Sequence, residues 1–196
     1  MTLYALKPRF QRGLRPAVRR LAAAGVTANQ VTVLAALLSV ALGLTLCVLP
    51  RAAFALLPLW LLLRMALNAV DGMLAREHGQ QSRLGAYLNE LGDVLSDAAL
   101  ALPLAFVAPF DPLWVAAFIF LGLLSEFAGV LGPARSYEGP LGKSDRALVL
   151  GALGLWIALS PELPGWIGGV MPLLCALLLL TTVNRVHQGL KATKGA

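Results

Sequence analysis

Six apolar runs, each near the length a helix needs to cross a bilayer, occupy most of this chain, and short breaks rich in proline and glycine separate them. A spanning helix takes about 20 apolar residues, with a range of about 17 to 25. Runs of that kind lie near 30–49, 52–75, 84–108, 112–132, 145–160 and 165–187. The breaks LPRA at 49–52, APFDP at 108–112, GPARSYEGPLG at 132–142 and SPELPG at 160–165 carry the residues that stop helices. Composition agrees. With 58% hydrophobic residues, 13% charged residues and a mean hydropathy of +0.76, the chain is too apolar for a soluble domain of 196 residues. The expectation is an all-α integral membrane protein. Six transmembrane helices fill 30–187, a basic juxtamembrane segment precedes them over 1–29, and a basic tail follows over 188–196.

Basic residues set the orientation. Lys7, Arg9, Arg12, Arg15, Arg19 and Arg20 precede the first run, and Arg76 and Arg83 bracket the second break. Arg135, Lys143 and Arg146 lie in or beside the fourth, and Arg185, Lys191 and Lys194 close the chain. With alternating spans, fourteen of the sixteen Lys and Arg fall on one side; Arg51 lies on the other and Arg64 within a span. Basic loops stay cytoplasmic, so both termini are expected there. In the leader, Leu6, Phe10, Leu14, Val18 and Leu21 recur at helical spacing among the basic residues. Such a segment suits the headgroup plane of anionic lipid. Pro16 argues against one unbroken helix there. Thr27 is placed to cap the first span. No cleavable signal is expected, because the first apolar run begins only near residue 31 and no small-x-small site follows it. Cys47 and Cys175 lie in apolar runs and read as small buried hydrophobes, not as a disulfide or metal framework. No nucleic-acid partner is expected.

Against this apolar background, residues 68–97 (NAVDGMLAREHGQQSRLGAYLNELGDVLSD) hold five of the ten acids: Asp71, Glu77, Glu90, Asp93 and Asp97. The stretch ends span two, forms the loop EHGQQSR and opens span three, at the expected cytoplasmic membrane face. Acids inside a membrane are costly, so they usually serve a function or pair with something. On span two, Asn68, Asp71, Gly72, Ala75 and Arg76 share one helical face. On span three, Gly85, Asn89, Asp93 and Asp97 recur every fourth residue as a slowly drifting stripe. Antiparallel neighbours can turn these faces together into a pocket of oxygen ligands with small residues on its walls. Oxygen ligands without His or Cys pairs suit Mg²⁺, Mn²⁺ or Ca²⁺. Such a cation holds phosphates, which at a membrane surface points to a nucleotide-activated lipid, attacked by an alcohol with a carboxylate as base.

Asp97, one turn deeper than Asp93, is expected to face this site; its alternative is a pair with Arg64 or another helix. Glu90 is rotated off the stripe, and Glu77 and His78 read as solvated loop. For Glu126 in span four, a cavity lining, a protomer contact and a pair with Lys143 all stay open.

The spacing resembles the signature of the CDP-alcohol phosphotransferases. That signature reads Asp, two residues, Asp-Gly, two residues, Ala-Arg, eight residues, Gly, three residues, Asp, three residues, Asp. Here the positions are Asn68, Asp71, Gly72, Ala75, Arg76, Gly85, Asn89 and Asp93; every gap has the right length and six of the eight residues agree. The six-span layout resembles the family over nearly the whole chain. GKSDR, Gly142 to Arg146, resembles the basic start of the fifth span that the family sets near lipid or acceptor phosphate. Asn29 and Thr32 resemble polar residues that its opening helices present to the nucleotide.

The resemblance implies a Mg²⁺- or Mn²⁺-dependent enzyme, homodimeric; the basic residues put its site on the cytoplasmic face, and the compact chain rich in Ala, Leu, Gly and Arg points to a bacterial inner membrane. Such an enzyme would move a phosphatidyl or similar group from a CDP-linked lipid, CDP-diacylglycerol above all, to an alcohol or alcohol phosphate, and release CMP. Asp71 would bind the metal with Asn68, Asn89, Asp93 and Asp97 around it. Gly72, Ala75, Arg76, Gly85, Asn29 and Thr32 would border the nucleotide. Lys143 and Arg146 would meet acceptor or lipid phosphate, and Asp93 would be the general base.

Two departures stand out. Asn68 and Asn89 occupy the first and third acid positions, which leaves Asp71 and Asp93 as the charged pair. Fewer anionic ligands weaken divalent binding and can reduce two metals to one; Glu90 and Asp97 are the acids at hand to compensate. One alternative keeps the fold and binds a nucleotide lipid with altered or lost turnover. A small transporter with a carboxylate relay is another, and acids gathered near one membrane face argue against it.

Overall fold

Four of the connections cap the helix that follows them. Thr27 Oγ1 accepts from Gln30 N at 3.2 Å while Gln30 Oε1 accepts from Thr27 N at 2.9 Å, a reciprocal box that satisfies two end donors. Ser82 Oγ accepts from Gly85 N at 2.9 Å, and Asp111 Oδ1 accepts from Leu113 N at 2.8 Å just before Pro112. Asp145 Oδ2 accepts from Gly142 N at 2.9 Å.

The computed structural model describes the backbone of residues 3–194 and the side chains of residues 10–192. The side chains of Leu6, Lys7, Arg9 and Lys194, and the last two residues of the predicted tail, lie outside the described residues. The order is α1 (Leu3–Ala23), α2 (Ala28–Leu46), α3 (Leu56–Glu77), α4 (Arg83–Ala101), α5 (Pro112–Val130), α6 (Lys143–Leu159) and α7 (Val170–Lys194). Short 3₁₀ turns lead into α3 at Arg51–Ala55 and into α7 at Gly165–Gly169, and leave α4 at Leu102–Phe106. Helices are the form in which a chain satisfies its own backbone in hydrocarbon.

Four stretches are long and apolar enough to cross a membrane: Ala28–Leu46, Arg51–Glu77, Pro112–Val130 and Gly165–Ala192. The other two predicted spans fall outside that group for separate reasons. α4 carries Arg83, Glu90, Asp93 and Asp97, and α6 is 17 residues long. The outer face of α4 is nevertheless apolar, with Leu84, Tyr87, Leu91 and Leu95 exposed in a line opposite its acids.

Two boundaries differ from expectation. α1 runs unbroken through Pro16, which lies on its exposed face, where the carbonyl left without a partner is not trapped in a core. α7 continues past 187 to Lys194, so the predicted tail is largely helix.

Small residues let the helices approach, the usual device where lipid removes the hydrophobic drive for association. A Cβ at Gly43 of α2 would run into the Ala99 carbonyl of α4, and one at Gly92 of α4 would lie 3.3 Å from the Ala36 Cβ. Buried Leu57, Leu100, Leu104, Ile157, Met171 and Leu178 fill the centre. A second cluster docks α1: Val18 packs with Val31, Val70, Met73 and Leu74, and Arg15 Nη2 lies 2.9 Å from Glu77 Oε1. Gln80 Oε1 accepts from Ala28 N at 2.7 Å, tying the α3–α4 loop to the start of α2. The sequence-predicted cluster thus lies where α2, α3 and α4 meet beside the docked leader.

Candidate functional site

The site is built from one face each of α2, α3 and α4. Thr32, a turn into α2, has Oγ1 2.8 Å from Asp71 Oδ2 and 3.0 Å from its own helix's Ala28 carbonyl, so one hydroxyl hydrogen serves two acceptors. Asp71 is buried, and no Lys or Arg forms an ion pair with it among the described residues. Asn68, one turn away on α3, donates Nδ2 to Asp93 Oδ1 of α4 at 3.1 Å. Thr32, Ala35, Ala36, Arg64, Asn68, Gly92, Asp93 and Ser96 line the crevice between the three helices. The predicted meeting of the Asn68–Asp71 and Asp93 faces is therefore present, with Thr32 beside them.

Asp93 has company that spacing did not announce. Arg64 Nη2 lies 3.1 Å from Asp93 Oδ1 and 3.1 Å from the Asp93 carbonyl. Lys143 Nζ forms an ion pair with Asp93 Oδ2. Both carboxylate oxygens are thus held by cations, and Oδ1 also by the Asn68 amide. One signal for Arg64 was available: it precedes Asn68 by four residues and shares its helical face.

Asp97, expected among the cation ligands, takes the alternative placement. Its Oδ1 lies 2.5 Å from Arg64 Nη1, and its Oδ2 lies 2.9 Å from Arg146 Nη2. With both oxygens on guanidinium groups, it serves as a partly buried counter-charge. Arg146, expected near phosphate, also reaches Glu126 Oε1 at 2.9 Å. Glu126 further pairs with Arg135 at 3.3 Å and Arg185 at 3.3 Å, not with Lys143. Glu90 pairs with Arg135. Glu77, expected as solvated loop, is half-exposed and bonded to Arg15.

The remaining candidates lie around the Asp71 end. A Cβ at Gly85 would fall 2.8 Å from Asn29 Oδ1, so the glycine lets the Asn29 side chain lie close against α4. The Arg76 guanidinium folds over Gly72, is exposed, and has no carboxylate partner among the described residues. Ala75 and Asn89 are half-buried, with no side-chain hydrogen bond from Asn89 among the described residues.

The donor set decides how well a divalent cation fits. Among the described residues, no three His, Cys, Asp or Glu side chains gather into a metal-binding group. Asn68 presents its NH₂, not its carbonyl, to Asp93, and Asp93 is already held by cations. Asp71 is the one signature acid without a cationic partner. One carboxylate with neutral oxygen neighbours offers a hard cation fewer anionic ligands than a pair of metals needs.

Comparison with known proteins agrees with the fold. The family model for CDP-alcohol phosphatidyltransferase matches residues 25–185. The inner membrane protein YnbA of Escherichia coli (strain K12) is 48% identical over 193 residues, covering 96% of either chain. The phosphatidylinositol phosphate synthase of Mycobacterium tuberculosis (strain ATCC 25618 / H37Rv) is 28% identical over 194 residues, covering 91% of this chain and 86% of its own. A crystal structure of the M. tuberculosis phosphatidylinositol phosphate synthase with manganese and citrate superposes with a TM-score of 0.73 at 26% identity, covering 88% of this chain and 86% of that one. The same synthase with CDP-DAG bound gives 0.70 at 27% identity, covering 88% and 90%.

Proposed function

This chain belongs to the CDP-alcohol phosphatidyltransferase family, and from that premise we propose that it transfers a phosphatidyl or related phospho-group from CDP-diacylglycerol to the hydroxyl of an alcohol, with release of CMP, in phospholipid synthesis. The observation that carries the proposal is the meeting of α2, α3 and α4, where Thr32 bonds Asp71 and Asn68 bonds Asp93 beside the crevice that Thr32, Asn68 and Asp93 line. The CDP-DAG held by the similar synthase supports the donor.

In the proposed reaction the acceptor oxygen forms a bond to the phosphorus that carries diacylglycerol. The bond from that phosphorus to the bridging oxygen breaks, and CMP leaves with the electron pair. Asp93 accepts the hydroxyl proton. It reaches that state by exchange: the arriving pyrophosphate competes for Lys143, which releases Asp93 Oδ2. Arg64 and Asn68 keep Oδ1 in place meanwhile. Asp71, with the side-chain oxygen of Asn89, would hold one Mg²⁺ or Mn²⁺, whose chemistry is to polarise the phosphoryl oxygen. Gly72, Ala75 and Gly85 border the nucleotide, with Asn29, Thr32 and Arg76 as its polar contacts. We place all six long helices α2 to α7 across a bacterial inner membrane, with both termini and the site on the cytoplasmic side and a second copy as partner. The basic leader docked at the α2 and α3 ends and the apolar outer line of α4 support that placement.

The test is CMP release from CDP-diacylglycerol by the detergent-purified protein, with and without Mg²⁺ or Mn²⁺, over a panel of alcohols and alcohol phosphates, with Asp93→Ala as control. Metal-dependent release that needs one acceptor and vanishes in the control is the expected result. Binding of the CDP-lipid without release from any acceptor would instead favour a nucleotide-lipid binder. The observation behind that second possibility is that both Asp93 oxygens are held by cations.

A further inference from the structure

One turn deeper than Asp93 lies a charged centre that the proposed reaction leaves unused. Arg146 Nη2 and Arg185 Nη1 approach Glu126 Oε1 at 2.9 and 3.3 Å, and Arg135 Nη2 approaches Oε2 at 3.3 Å. Three guanidinium groups converging on two oxygens is the arrangement that recognises a phosphate or carboxylate ligand. Here the anion belongs to the chain itself. Arg146 and Arg185 are almost wholly buried, at 4% and 2% exposure, so they cannot find counter-charge in water. Two of their donors, Arg146 Nη1 and Arg185 Nε, have no partner among the described residues. Glu126 and Arg146 line a cavity of about 30 Å³ with Asp97, Phe118, Gly122 and Leu123. Arg64, which bonds both Asp93 and Asp97, links that cavity to the crevice.

We propose that Glu126 is a built-in counter-anion that fills a three-arginine oxyanion site, and that the enzyme therefore selects an acceptor alcohol carrying no phosphate. The inference rests on the transferase reading above. A phosphate-bearing acceptor would meet Glu126 where it needs free arginine, and the two like charges would repel. A neutral hydroxyl brings no charge against Glu126, so its binding does not require that Glu126 be displaced.

Two measurements test this, and one of them needs no turnover. Thermal unfolding of the purified protein is followed in inorganic phosphate against chloride at equal ionic strength. The wild type is expected to show no phosphate-specific rise in Tm; a saturable rise would overturn the proposal. Glu126→Gln is expected to gain that rise, or to be recovered folded only with phosphate present. A folded Glu126→Gln without the gain also overturns it. If Glu126→Gln is not recovered in either buffer, Glu126→Gln with Arg135→Gln is judged by the same criterion. The second measurement compares CMP release by the wild type with glycerol and with glycerol phosphate. The unphosphorylated member is expected to be preferred by roughly tenfold or more; the opposite preference sinks the idea. Absence of release with every acceptor counts against the transferase reading, and the phosphate arms then judge the oxyanion site by themselves.

Discussion

Asp71, buried on α3, and Asp93, partly buried on α4, meet around Thr32 and Asn68, yet they are held in opposite ways. Among the described residues Asp71 is hydrogen-bonded by neutral groups, the Thr32 hydroxyl and the Gly72 backbone, whereas Asp93 is wrapped by Arg64, Lys143 and the Asn68 amide. Behind Asp93 the pairing continues through Asp97 and Arg146 to Glu126. The Asp93 half of the site carries its own counter-charge, and the Asp71 carboxylate has no ion-pair partner among the described residues. A buried carboxylate without a cation is expensive to keep ionised, so Asp71 is the point where an incoming cation gains most. The Asp93 half is instead pre-organised, and a ligand enters it by exchange.

Four experiments can break or sharpen that contrast. The largest effect is expected at Asp93: its conversion to Asn should lower kcat for CMP release by on the order of 10²–10⁴-fold, the range typical of a positioned acid or base. A residual rate near wild type would remove Asp93 from the chemistry.

Arg146→Met comes next and acts on stability. It leaves Asp97 and Glu126 short of a partner, and removing one member of a buried pair costs about 3–5 kcal/mol. Asp71→Asn should cost less than about 1 kcal/mol, because an amide oxygen still accepts from Thr32. Equal losses of Tm in the two variants would erase the distinction between the compensated and uncompensated halves.

Asp71→Asn should show its effect in cation dependence. The Mn²⁺ or Mg²⁺ concentration for half-maximal CMP release is expected to rise by about 10–100-fold or more, since even outer partners of metal ligands matter on that scale. An unchanged cation requirement would move the cation away from Asp71. The smallest effect is expected at Arg15→Ala, about 0–1 kcal/mol in thermal unfolding, because its pair with Glu77 is half-exposed. A larger loss would mean that the leader contributes more than surface pairing.

Helix positions were readable because hydropathy and breaks are local. Five of the six predicted runs begin or end within three residues of a described helix or its 3₁₀ extension at both ends; the last was underestimated because α7 turns polar after residue 187 while staying helical. Pro16 misled for a related reason: one missing donor on an exposed helix face costs less than in a core. The meeting of Asn68, Asp71 and Asp93 was readable because two antiparallel helices joined by a short loop leave few ways to pair their faces. Asp97 was not, since the choice between site and counter-charge turns on Arg64 and Arg146 from helices far apart in sequence. Glu126 was undecided for the same reason, as its partners come from the 132–142 loop, α6 and α7.

By itself the amino-acid sequence determined the all-helical membrane architecture, the family and the acid-bearing faces, because apolar run length, capping residues and signature spacing act over a few turns. Only the tertiary structure decided which acids carry a cationic partner. Arg64, Lys143, Arg135, Arg146 and Arg185 reach Asp93, Asp97, Glu90 and Glu126 across five helices and a loop, and an ion pair exists only at the distance the packing allows.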